Sequence, residues 1–84
     1  MKEHKPTIRD VKNILGKQVS GWNDKRSDYS RIKLTRSLGI AEQYTLLSGL
    51  RDKFANYKFT VSNIRWKSSQ FQHAQIVGAI TFWK

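Results

Sequence analysis

Tyr29-Ser30-Arg31-Ile32-Lys33-Leu34-Thr35-Arg36-Ser37 is the stretch on which the architecture turns. Read with a period of two, it sets Ile32 and Leu34 on one side and Arg31, Lys33 and Thr35 on the other. That is the pattern of a half-buried strand with a basic outer face. Read with a helical period, Tyr29 to Leu38 becomes the first helix of a winged helix-turn-helix. Leu38-Gly39-Ile40 is then the turn, Tyr44 to Tyr57 the recognition helix and the C-terminal residues the wing. On that reading the target is duplex DNA, and Gln43, Tyr44, Arg51 and Lys53 are the readers. Thr35 weighs against it, because the motif favours a small apolar residue there, and Thr45 and Ser48 fall where it buries aliphatic side chains. The strand reading is preferred.

Upstream, residues 1–6 are polar and are expected to form a flexible tail. Thr7-Ile8-Arg9-Asp10 has the spacing of a capping box. Ile8, Val11, Ile14, Leu15 and Val19 then share one helical face, which predicts a helix from Thr7 to Val19. Ser20 to Asp28, with Gly, Asn, Asp and Ser around a solitary Trp22, reads as a loop. Downstream, Ile40, Tyr44, Leu47, Leu50, Phe54 and Tyr57 recur at helical spacing and predict an amphipathic helix over Ile40 to Asn56. Gly49 inside it costs about 1 kcal/mol relative to Ala, so it marks a close approach to a neighbouring element.

The C-terminal residues alternate twice. Tyr57-Phe59-Val61 and Ala74-Ile76-Gly78-Ile80-Phe82 each place apolar residues at every second position, the signature of two strands. A four-residue turn over Lys67-Ser68-Ser69-Gln70 pairs Trp66 with Phe71, Ile64 with His73, Val61 with Ile76 and Phe59 with Gly78, and keeps both apolar sets on one face. The expected fold is one small α+β domain spanning residues 1–84, in the order α-β-α-β-β. Its two helices pack on one face of a short antiparallel sheet.

Charge indicates the partner. Sixteen Lys and Arg face six Asp and Glu, a formal net charge of +10 on 84 residues, and no acid follows Asp52. A positive field of this size points to a polyanion. The chain has no cysteine, which excludes a disulfide framework, a thiolate nucleophile and most zinc sites and suits a reducing, cytoplasmic setting. No apolar run is long enough for a signal peptide or a membrane-spanning helix, so no membrane partner is expected.

Two constellations carry the expected chemistry. The hairpin register collects Thr60, Ser62, Ile64 and Trp66 beside Phe71, His73, Gln75 and Val77, with Arg65 and Lys67 flanking. Trp66 and Phe71 are the expected base-stacking platform. The same two rings would also serve as a cross-strand aromatic pair that only stabilises the hairpin. Lys25, Arg26, Arg31, Lys33 and Arg36 deliver five charges in twelve residues against Asp24 and Asp28 alone, and are read as phosphate contacts. Arg9, Lys12 and Lys17 extend that patch.

His73, with Arg65, Lys67 and Tyr29, belongs to the residue types that cleave RNA without metal. A histidine on a nucleic-acid face more often hydrogen-bonds or stacks. No acidic pair has metal-ligand spacing, and there is no glycine-rich phosphate loop and no nucleophile triad. The expectation is a non-enzymatic nucleic-acid-binding protein without cofactor or metal, with RNA or single strands ahead of duplex DNA. The alternative is a protein inhibitor, an anti-defence or antitoxin-like factor of a phage or mobile element, that offers this basic aromatic surface to an acidic host protein together with RNA.

Overall fold

Ser30–Leu34 is a strand, which overturns the helix-turn-helix reading of Tyr29 to Leu38. Ile32 and Leu34 are completely buried, so apolar alternation decides this segment over the helical period. The computed structural model describes residues 5–25, 27–67 and 74–84, and of Trp66, Lys67 and Ala74 the strand position alone. Along the chain the elements are α1 (Ile8–Leu15), β1 (Gly21–Lys25), β2 (Ser30–Leu34), α2 (Ile40–Lys53), β3 (Lys58–Lys67) and β4 (Ala74–Trp83). They form a small α+β domain whose four strands stand in the order β1-β2-β4-β3, every neighbouring pair antiparallel.

The order α-β-β-α-β-β corrects the expected α-β-α-β-β. The extra strand, β1, lies in the segment expected to be a loop. Its residues carry no apolar alternation, and pairing with β2 is what holds them extended: Trp22 stands opposite Lys33, and Asp24 opposite Arg31. Gly21 starts the strand because the backbones crowd there. A Cβ at this position would collide with the Lys33 carbonyl oxygen. Pro6, expected in the tail, is fully buried and so packs with the domain.

Helix α1 starts as expected after Thr7. The Asp10 carboxylate accepts the Thr7 amide at 2.8 Å and its hydroxyl at 3.1 Å. The helix ends at Leu15 rather than Val19, because Gly16 turns into the left-handed region at φ 70°. Val19 is buried beyond the helix all the same. Helix α2 ends at Lys53, short of Asn56, and at its start the Gly39 amide donates to Glu42 at 3.0 Å.

The two helices run antiparallel, joined at three levels. Lys53 Nζ meets Asp10 Oδ1 at 2.6 Å, Ile14 packs over Gly49, and Lys17 Nζ meets Glu42 at 3.0 Å. A Cβ on Gly49 would lie 2.8 Å from Ile14 Cγ2, which is the close approach read from its position. Burial pushes the Asp10 carboxyl up, but the hydrogen bonds from Lys53 and Thr7 outweigh it and hold the group below the usual carboxylate range. Glu42 is held down to about 2, first by its hydrogen bond from Arg36, then by the Gly39 amide and Lys17.

The β3–β4 hairpin keeps its expected faces but not its expected partners. Phe59 stands opposite Phe82, Val61 opposite Ile80, Ile64 opposite Val77 and Trp66 opposite Gln75, so the expected pairs Trp66–Phe71 and Phe59–Gly78 are corrected. The slip is even, which is why every side chain stays on its face. Two contacts explain it. Bulky residues pair across the strands on the helix side, and Gly78 is reserved for Leu38, whose Cγ would lie 2.7 Å from a Cβ at that position. Asn63, opposite Gly78, completes the clasp: its Oδ1 accepts the Leu38 amide at 2.7 Å, and its Nδ2 donates to the Leu38 carbonyl at 2.8 Å.

The core joins Val11, Leu46, Leu50 and Phe54 of the helices and their ends to Ile32, Leu34, Phe59, Ile80 and Phe82 of the sheet. In the strand register these sheet residues share one side, so both helices cover the same face. The apolar stripe of α2 holds in its later part, where Leu50 and Phe54 are buried, but not at its start: Leu46, outside the stripe, is buried, whereas Ile40 and Tyr44 are 74% and 71% exposed. Among the described residues no helix is long and apolar enough to cross a membrane.

Candidate nucleic-acid interface

Strand register assigns the other face of the sheet residue by residue. Asp24, Arg31, Thr81 and Thr60 make one row across it, and Trp22, Lys33, Ala79 and Ser62 the next. Trp83 pairs with Lys58 at one end, and Trp66 with Gln75 toward the other. All three tryptophans of the chain therefore occupy positions on the face that, among the described residues, no helix covers. Val77 and Ala79 are 1% exposed there although they lie outside the main core cluster, so the centre of this face is shielded from solvent.

The cations divide by environment. Lys33 is buried in the middle of the face, and its ammonium meets Asp24 at 3.3 Å. Arg36 lies at the far end of the sheet from Lys25, where its guanidinium donates to both oxygens of Glu42 and to the Ser37 carbonyl. The expected patch over Lys25 to Arg36 is thus broken up, and the acids that break it are Asp24, from the unexpected strand, and Glu42, from α2. Arg31 is half-buried, donates to the Thr81 hydroxyl at 3.2 Å and stands 5.2 Å over the Tyr29 ring. Lys25 is exposed at the end of β1.

At that end of the sheet the chain gathers a second basic group that sequence reading missed. A cleft of about 280 Å³ is lined by Lys5, Lys25, Ser27, Asp28, Tyr29, Ser30, Tyr57, Phe82, Trp83 and Lys84. The Lys84 ammonium stands 5.5 Å over the Tyr57 ring, which itself meets Phe82 edge-on at 5.5 Å between centroids. Arg31 and Lys58 continue this basic end onto the helix-free face. The parity of Trp83 and Lys58 was available in the alternation of the last strands. Trp22 was not, because only pairing with β2 makes its segment a strand.

Of the expected platform, Phe71 and His73 lie outside the described residues, as does Arg26, and so do the side chains of Trp66 and Lys67. Positions 65 and 67 alternate onto the helix side, away from Trp66. Arg65 is exposed there, opposite Ile76. Tyr29 and Arg65 fall at opposite ends of the sheet, which separates two members of the general acid–base group considered from sequence. Among the described residues no three His, Asp or Glu gather in a way that could hold a metal ion. No protein-family model, curated protein or solved structure matches this chain.

Proposed function

We propose that this protein binds nucleic acid without catalysis, RNA or single strands ahead of duplex DNA, across the helix-free face of its sheet and the basic end beside it. The observation that carries the reading is the placement of all three tryptophans on that face. Flat rings on a sheet face without helices accept unstacked bases, each worth about 1–3 kcal/mol, and neighbouring cations follow the phosphates. Lys25, Arg31, Lys58 and Lys84 are the phosphate contacts of this reading. Lys33 and Arg36, matched by Asp24 and Glu42, instead hold the strands and helices in place.

Val77 and Ala79 are buried in the middle of the same face. Trp83 is the discriminating residue, because it lies at the sheet end, in the cleft with Lys25 and Tyr29. The test is a salt series of affinities for single-stranded RNA, single-stranded DNA and duplex DNA, run on the native chain, Trp83→Ala and Lys58→Ala, with circular dichroism to verify the fold. Single strands are expected to bind tightest, with affinity falling steeply as salt rises. Binding that is independent of salt and of both substitutions would remove the reading.

A further inference from the structure

On the helix side, α2 and the edge strand β3 frame a groove that the core leaves open. Helix α2 starts beside Asn63, where Leu38 is clasped, and finishes beside Phe59, which packs with Phe54 at 6.3 Å between ring centroids. The two elements therefore run antiparallel. Between them lies a cleft of about 360 Å³ lined by Ile40, Gln43, Tyr44, Leu47 and Val61. Ile40 and Tyr44, two of the three most exposed large apolar residues of the described chain, belong to it. Among the described residues β3 pairs with β4 alone, so it is an edge strand whose outward amides and carbonyls have no ladder partner.

A strand edge beside a helix-lined apolar groove is the arrangement that receives an added strand: main-chain hydrogen bonds supply affinity, and alternate side chains enter the groove. Charge specifies the occupant further. Arg51 follows Leu47 by one helical turn, and Arg65 follows Val61 by four residues on the same face of β3, so an exposed cation stands toward each end of the groove. Strand β3 itself contains Lys58, Arg65 and Lys67 and no acid. A second copy of this chain would set these cations against their own kind on a body of net charge +10. A nucleic acid has no main chain that could extend the ladder.

We propose that this groove docks an extended acidic segment of a partner protein, apolar at alternate positions, as a fifth strand on β3. The site is separate from the tryptophan face and does not rest on the nucleic-acid reading.

The test is an NMR titration of the full chain with a short acetylated peptide alternating valine and glutamate, and with its valine–lysine counterpart. The acidic peptide is expected to shift Ile40, Tyr44 and the β3 amides and to slow exchange of the outward amides of β3. Tyr44→Ala and Arg65→Glu, both at exposed positions, are expected to weaken it about tenfold. Equal binding of the two peptides, shifts confined to the tryptophan face, or no binding up to about 1 mM would each overturn the proposal. So would self-association of the chain through β3, which makes a second copy the occupant.

Discussion

On the helix side of the sheet, Ile32, Leu34, Phe59, Ile80 and Phe82 meet Val11, Leu46, Leu50 and Phe54 in one continuous apolar cluster. On the other side, Val77 and Ala79 are the buried apolar strand residues among those described, and their face also holds Trp22, Trp83, threonines, a buried Lys33 and an Arg31 tied to Thr81. The first face is built for exclusion of water, and its residues explain one another. The second holds positions of all three tryptophans beside Lys33, Arg31 and Lys58. The difference separates the face that makes the core from the face on which the proposed binding reading rests.

That separation can be broken most forcefully from the helix side. Leu50→Ala empties a fully buried position and is expected to cost about 2–5 kcal/mol, seen as a lower midpoint in thermal or denaturant unfolding. A loss near zero would mean that the cluster is not the core. Trp83→Ala should act in the opposite sense, leaving unfolding nearly unchanged while single-strand affinity falls by about 1–3 kcal/mol. A variant that lost stability and kept its affinity would make the ring structural. Lys58→Ala, beside Trp83, sharpens the comparison further. It should lower the slope of log affinity against log salt by about 1, equally for all sequences, and an unchanged slope would take Lys58 off the phosphate path.

The smallest effect is on pH. Glu42 ionises near 2 in the folded chain and near 4.3 when unfolded. Its depressed folded value contributes stability that is complete above the unfolded value and is lost as pH falls through the folded one. Asp10, also lowered, acts in the same direction at the other end of the helix pair. The unfolding midpoint should therefore drop on acidification from about pH 4.5 to 2. Glu42→Gln should lower the midpoint at neutral pH and flatten part of that drop. Superimposable acid profiles would show that the Arg36–Glu42–Lys17 cluster adds nothing.

Much of the helix side was legible because it is written in periodicity. The strand character of Ile32 and Leu34, the Thr7 start of α1, the close approach at Gly49 and the faces of the C-terminal hairpin all follow from local spacing. What escaped depends on partners far along the chain. Trp22 and Asp24 form a strand only because β2 lies beside them, and Lys33 loses its exposure for the same reason. The apolar stripe of α2 gave the helix and the burial of Leu50 and Phe54, but not the exposure of Ile40 and Tyr44, since Leu46, outside the stripe, was equally able to face the sheet. The hairpin register escaped because alternation is blind to a slip of an even number of residues.

The clasp of Leu38 over Gly78 answers that blindness. Moving β3 by two residues against β4 would leave every side chain on its proper face, but would bring Ile76 or Ile80, instead of glycine, opposite Asn63 and beneath Leu38. The hairpin can thus assemble out of frame and remain amphipathic, yet only one frame lets the segment leaving β2 close onto it. Leu38, Asn63 and Gly78 act as a proofreading stop, which makes completion of the sheet conditional on correct phasing of a hairpin that comes later in the chain.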